Sequence, residues 1–154
     1  MAEQKQILHV QIIPVGGGDA ILPNTAIAEI VPYLEPKKIS GAPGWFLGLL
    51  PWRGLEVPLI SIEAATGGSS MASTKSSRVA VINTLNDDSK FNFFAFLTQG
   101  IPHLAKVTRE SLVPKPIPDG VKNVLANATL AGDPMIVPDI EKLGALILKS
   151  VKFK

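Results

Sequence analysis

Cysteine is absent from this chain of 154 residues, which excludes disulfide bonds and thiolate chemistry. Histidine is scarce: His9 and His103 are the only two, they lie far apart, and neither has an H-x-x-x-H or H-x-E companion. A metal centre or a histidine acid–base pair is therefore not expected. The chain also lacks the Gly-Lys-Ser/Thr of a phosphate-binding loop and the Gly-x-Ser-x-Gly turn of a hydrolase. These absences predict a protein that is not an enzyme and that has neither a cofactor nor a small-molecule substrate.

Long apolar runs are also missing, since none approaches the roughly 18 residues that a membrane span requires. Residues 1–6 are polar and lack the basic and apolar character of a signal peptide. We therefore expect a cytoplasmic protein with no membrane insertion. The formal net charge is +2, and much of the excess lies after Lys142 rather than along one face with aromatics between the cations. Nucleic acid is accordingly not an expected partner.

Thirteen prolines and thirteen glycines interrupt the chain at short intervals, and the segments between them are rich in Val, Ile, Leu and Phe. This rhythm predicts an all-β protein. Short apolar or alternating runs give the predicted strands, which lie at 6–13, 20–22, 26–33, 46–52, 55–62, 78–85, 91–98, 101–107, 127–131 and 134–137.

The segment 66–77 is small and polar, so it is predicted to be a flexible linker between two halves of five strands each. Two small barrels packed together in one domain, 1–154, would account for this division. We place the barrels at roughly 15–65 and 78–137, with strand 6–13 packing across them. A helix at 139–151 also packs across them, since Asp139 is a good N-cap and apolar residues follow at helical intervals.

The hairpin at 48–62 places one long cation between two apolar strands. Arg53 and Gly54 occupy the position of its turn. Glu29 is likewise the only charged residue between positions 20 and 34. Each of these two charges requires an explanation, because its neighbours are apolar.

Two tryptophans, Trp45 and Trp52, lie beside this hairpin. Large aromatic side chains in a small barrel pack its core or rim. Tryptophan and arginine are also favoured anchors of protein interfaces, so a protein-binding surface around Arg53 is the competing interpretation. The residues alone leave both interpretations open.

Four phenylalanines fall in one predicted strand. Alternation places Phe94 and Phe96 on one face and Phe91 and Phe93 on the other. Neither face is expected to be exposed to solvent, because each carries two phenylalanines. One face is expected to pack in a barrel core and the other against the neighbouring barrel or the terminal helix.

The hairpin, preceded by Glu29, resembles that of the CheW family of chemotaxis adaptors, which reads Gly-x-x-x-Leu-Arg-Gly-x-x-x-Pro-x-x-Asp-Leu. The chain matches this motif at Gly48, Arg53, Gly54 and Pro58. The spacing from the glycine to the arginine is one residue longer, Trp52 replaces the Leu, and Ser61 replaces the Asp. The segment 22–33 and the turn 99–103 look closer to divergent adaptors of type IV pilus chemosensory systems, of the ChpC or PilI kind, than to flagellar CheW.

The resemblance implies two packed SH3-like five-stranded β-barrels with a C-terminal helix and no active site. Its implied partners are the regulatory domain of a CheA-type histidine kinase, bound at a barrel edge, and the cytoplasmic tip of a chemoreceptor, bound in the groove between the barrels. Near the receptor-binding surface of the family, the strand glutamate pairs with the hairpin arginine, here Glu29 with Arg53. The pair either contacts the partner or only ties two strands together. The predicted protein-binding residues are Glu29, Trp45, Trp52, Arg53, Gly54 and Pro58.

Two alternative functions stay open at the level of the sequence. One is a β-barrel of the OB or SH3 type that binds nucleic acid or a small ligand on its aromatic and basic residues. The other is a degenerate adaptor that keeps the fold and binds only one of the two partners, which the departure at Ser61 makes reasonable.

Overall fold

The structure is a computed structural model that describes residues 7–84 and 92–150. Its strands, in chain order, are β1 (Ile7–Val15), β2 (Gly18–Pro23), β3 (Ile27–Pro32), β4 (Phe46–Trp52), β5 (Leu55–Ile60), β6 (Arg78–Asn83), β7 (Phe93–Leu97), β8 (His103–Thr108), β9 (Leu112–Lys115), β10 (Val124–Leu130) and β11 (Asp133–Pro138). The helices are α1 (Ile62–Ala65) and α2 (Ile140–Ser150), and single 3-10 turns lie at Asn24–Ala26 and Arg109–Ser111. The predicted all-β class with a C-terminal helix is confirmed. No helix of the described residues is long and apolar enough to cross a membrane.

The strands form two sheets. The five-stranded sheet has the order β3-β6-β7-β5-β4, and the six-stranded sheet has the order β8-β1-β2-β11-β10-β9. Each sheet curls around an apolar cluster of its own, and we call the two units the five-stranded barrel and the six-stranded barrel. One strand of the six-stranded sheet, β9, was not predicted from the sequence. It is only four residues long and contains Pro114, and proline has no N–H to donate to a sheet.

The division of the chain between the sheets differs from the expected limits of 15–65 and 78–137. Each sheet takes strands from both halves, because the five-stranded sheet combines β3 to β5 with β6 and β7, and the other combines β1 and β2 with β8 to β11. Parallel pairs, β5 with β7 and β2 with β11, join the two halves. Such pairs require long crossover connections, and local strand rhythm carries no information about them.

Alternation along the strands gives every sheet two apolar faces. Along β6, for example, Val79 and Val81 point into the five-stranded barrel, whereas Ala80 and Ile82 point toward the six-stranded sheet. The faces that the two sheets turn toward each other form, together with α2, a central core. It contains Ile13, Val15, Ala20, Leu22, Phe46, Ile60, Ile62, Ala65, Ala80, Ile82, Phe94, Phe96, Ile140, Leu143 and Ile147.

The phenylalanines of β7 divide as the alternation predicts. Phe94 and Phe96 are buried in the central core, where helix α2 also packs. Phe93 lies on the opposite face and packs against the core of the five-stranded barrel. Phe91 lies outside the described residues. The strand therefore fills a barrel and joins it to its neighbour.

Helix α2 begins where the sequence predicts. The Asp139 Oδ1 atom accepts a hydrogen bond from the Lys142 N–H at 3.0 Å, which is an N-cap interaction. Ile140, Leu143 and Ile147 then lie on one face and are buried in the central core. Position 151 of the predicted helix lies outside the described residues.

Replacing Asp139 by alanine is expected to lower the free energy of unfolding by about 1 kcal/mol, because the N-terminal N–H groups of α2 lose their acceptor. Urea denaturation followed by circular dichroism measures the loss. Asp119→Ala is the matched control, since Asp119 is exposed and makes none of the hydrogen bonds found among the described residues. Equal stability of the two variants would contradict the capping role.

The linker 66–77 contains no strand and no helix. Its first residues contact the loop before β10, since the Lys122 N–H donates to the Thr66 carbonyl at 3.1 Å and a Cβ atom at Gly67 would collide with the Gly120 carbonyl. Thr66 and Gly67 are therefore held against the six-stranded barrel. The flexibility of the segment stays a prediction.

Candidate protein-binding site

The turn of the β4–β5 hairpin exposes an arginine. Trp52 pairs with Leu55, so Arg53 and Gly54 form a two-residue loop. Their φ angles are 49° and 76°, and positive values at both central positions match the twist of the strands on either side. Glycine adopts positive φ angles freely, and this freedom explains why Gly54 follows the arginine. The Arg53 side chain, 65% exposed, projects from the end of the hairpin.

Glu29 meets this turn from the opposite edge of the five-stranded sheet. The Arg53 Nη2 atom lies 3.1 Å from Glu29 Oε1, and the Trp52 indole N–H donates to the same oxygen at 2.9 Å. Glu29 belongs to β3 and Trp52 to β4, which are the two edge strands of the sheet. The predicted pairing of Glu29 with Arg53 is therefore present, and Trp52 completes it.

The indole ring connects the charged pair to the barrel core. Trp52 is only 9% exposed, and its ring packs edge-on against Phe93 with 4.8 Å between centroids. The Arg53 Cζ atom lies 4.7 Å from the centroid of the same ring, which is a cation–π contact. The buried ring therefore contacts both the arginine and the glutamate. We call Glu29, Trp52, Arg53 and Phe93 the hairpin cluster.

Stability alone does not explain the hairpin cluster. The glutamate side chain is 41% exposed and the arginine more so, and pairs of that exposure contribute only about 0 to 1 kcal/mol. The indole N–H could be satisfied by water at the rim with little loss. What the arrangement does provide is a fixed acceptor and a fixed cation on the surface, which is useful to a binding site.

The remaining predicted site residues are not brought to this place. Trp45 precedes β4, whereas Trp52 ends it, so the two rings are roughly 20 Å apart along the strand. Trp45 is half-buried, packs against the central core and meets Phe46 edge-on at 6.1 Å. Of the two tryptophans, only Trp52 therefore lies next to Arg53, because a seven-residue strand separates it from Trp45. Pro58 is buried opposite Leu49 in the middle of the hairpin.

An apolar groove lies between the two sheets, next to the start of α2. It encloses about 380 Å³ and is lined by Leu22, Pro23, Thr25, Ala26, Asn83, Leu125, Val137, Pro138, Asp139, Ile140 and Glu141. Asn83, in the groove wall, pairs in the sheet with Phe93 of the hairpin cluster. The resemblance implied a groove between the barrels, but the sequence did not identify its lining residues; the one available signal was Leu125, an apolar residue that β10 leaves exposed.

Residues 7–84 and 92–150 contain no group of three or more metal-binding side chains. The buried carboxylate of Glu63 accepts the Gly16 N–H at 2.8 Å and thereby fixes α1 to the β1–β2 turn. A base-stacking platform would require exposed rings, yet Phe46, Trp52, Phe94 and Phe96 are buried.

Two curled sheets that share a core, with an apolar groove between them and an ion pair across the edge strands of the five-stranded sheet, define a double-barrel module. A family model described as CheW-like domain matches residues 9–147. The chain therefore belongs to the CheW-like domain family, and the resemblance seen in the hairpin is confirmed at that level. The crystal structure of the scaffolding protein TtCheW from Thermoanaerobacter tengcongensis has the same fold, with a TM-score of 0.76, 16% sequence identity, and coverage of 93% of this chain and 91% of that chain. No curated protein matches the sequence.

Proposed function

We propose that this protein is a cytoplasmic adaptor that couples a chemoreceptor to a CheA-type histidine kinase. Its contribution is positional: it holds two partners at fixed places and catalyses nothing. Membership of the CheW-like domain family supports this proposal. The similar fold of TtCheW, which is a scaffolding protein, supports it as well.

The proposal is carried by the hairpin cluster together with the apolar groove between the sheets. A groove of this kind suits the apolar stripe of an amphipathic helix, and the helical tip of a chemoreceptor is the proposed occupant. Leu125 and Val137 lie in the groove wall, and Asn83, in the same wall, pairs with Phe93 of the hairpin cluster. Apolar contact would supply affinity, and the ion pair would fix the orientation of the helix.

The kinase regulatory domain is proposed to bind at a barrel edge. In the six-stranded sheet β8 is an edge strand, and its residue Leu104 is 65% exposed. Edge strands present unpaired main-chain groups that another protein can extend. This edge lies on a different barrel from the hairpin cluster, so the two partners would not compete.

Direct binding tests the proposal. The chain is titrated by calorimetry against a soluble receptor-tip fragment and, separately, against the kinase regulatory domain, both taken from the same organism. We expect both to bind, and a mixture of all three to co-elute in gel filtration. Binding of only one partner would support the degenerate adaptor, and failure of both would refute the proposal.

The signalling pathway is a finer part of the proposal. The likeness of the segment 22–33 and the turn 99–103 to pilus-type adaptors supports a role in twitching motility driven by type IV pili. The same titration with kinase domains from a pilus gene cluster and from a flagellar gene cluster tests this assignment. We expect tighter binding to the pilus-type kinase, and the opposite preference would assign the protein to flagellar chemotaxis.

A further inference from the structure

The ion pair of the hairpin cluster has hydrogen-bonding groups without a partner among the described residues. The Trp52 indole donates a hydrogen bond to one oxygen of Glu29, Oε1, and the Arg53 Nη2 atom lies 3.1 Å from the same oxygen as an ion pair. Among the described residues, no donor reaches the other oxygen, Oε2. The guanidinium meets the carboxylate through Nη2, and it carries five N–H donors in all. The surface therefore presents an open acceptor next to open donors.

Trp52 contacts both members of the pair that carries these open groups. The Arg53 Cζ atom lies over the Trp52 ring, 4.7 Å from the ring centroid. Glu29 is held by the indole N–H at 2.9 Å. A partner group must therefore accept from Arg53 and donate to Glu29 Oε2 at the same time.

Charge balance narrows the choice of that partner group. The pair is neutral as a whole, so a lone lysine or aspartate would satisfy one member and leave a net charge in a contact that excludes water. An ion pair on the partner would match, but it would bring two further charges out of water. A neutral group with one donor and one acceptor satisfies both members without adding charge.

Following the proposed function, on which this step rests, the partner is a helix. The main-chain N–H and C=O groups in the middle of a helix are already paired with each other, so the donor and the acceptor must belong to a side chain. A carboxamide carries an NH2 donor and a C=O acceptor in one planar group. We propose that a glutamine or asparagine side chain of the receptor tip bridges Glu29 and Arg53.

A compensation experiment tests this assignment. In a soluble receptor-tip fragment, each exposed glutamine is changed to glutamate and each exposed asparagine to aspartate, one at a time. The bridging residue would then lose its donor and face Glu29 with a like charge. We expect one such fragment to bind the unaltered chain about tenfold more weakly or worse. Glu29→Gln should restore its binding, because the new amide can donate to the carboxylate while its oxygen still accepts from Trp52 and Arg53.

Glu56→Gln is the matched control, since Glu56 is an exposed carboxylate on β5 of the same hairpin. Rescue by Glu29→Gln and not by Glu56→Gln establishes the carboxamide bridge. If no glutamine or asparagine of the tip shows that rescue while the unaltered fragment binds, the bridge is refuted and the adaptor function stands. If the unaltered fragment does not bind at all, the receptor part of the proposed function fails instead.

Discussion

Replacing Arg53 by glutamate is expected to weaken the binding of the receptor tip at least about 30-fold without unfolding the protein. The change removes the cation and places a second carboxylate next to Glu29, so the binding surface becomes negative where it was neutral. The fold should survive, because the side chain is 65% exposed and surface pairs contribute only about 0 to 1 kcal/mol. The positive φ of position 53 costs glutamate about as much as it costs arginine.

The measurement is a calorimetric titration together with a circular dichroism spectrum and a urea denaturation curve. Lys106→Glu is the matched control, because it changes the net charge equally at an exposed position of the six-stranded barrel. It should bind the receptor tip within about threefold of the unaltered protein. Normal binding by Arg53→Glu would show that the pair only joins β3 to β4, and an unfolded variant would assign Arg53 a purely structural role.

Replacing Phe94 by alanine is expected to lower the free energy of unfolding by about 3 to 5 kcal/mol. Phe94 is fully buried, with 0% of its surface exposed, and it lies in the central core, between the sheets and α2. The strand that carries it, β7, is paired on both sides, so the backbone cannot collapse into the space that the ring leaves. A loss of that size is a large share of the stability of a domain, which is about 5 to 15 kcal/mol.

Urea denaturation followed by tryptophan fluorescence measures this loss, since Trp45 packs against the central core and Trp52 against the five-stranded barrel core. Leu104→Ala is the control. Its side chain is 65% exposed on β8, and it should change stability by less than about 0.5 kcal/mol. A loss below about 1 kcal/mol for Phe94→Ala would contradict the view that the central core holds the two barrels together.

The positions of most strands could be predicted from the sequence, because strand rhythm and turn residues are local. The Arg53-Gly54 turn and the Asp139 cap are confirmed for the same reason. The membership of the sheets could not be predicted, since pairing of β5 with β7 across the linker depends on contacts far apart in the chain. Strand β9 was missed because it contains Pro114, and proline is rare inside strands.

The candidate site was predictable in part. The hairpin motif identified Glu29 and Arg53 as partners, and the structure brings them together. The role of Trp52 was not predictable, because a tryptophan in a barrel strand can face either the core or the rim. The structure shows that it does both: its ring fills the core while its N–H reaches Glu29. The leucine that the CheW motif has at this position could pack there, but it has no hydrogen to donate.

The exchange of strands between the two halves of the chain has a consequence for how the protein can be divided. Cleavage within the linker 66–77 would give two fragments, and neither would contain all the strands of either sheet. The N-terminal fragment would hold β3, β4 and β5 without the strands β6 and β7 that lie between β3 and β5. Each fragment would therefore expose open sheet edges until it met the other, so the two barrels are inseparable as folding units although they are distinct as shapes.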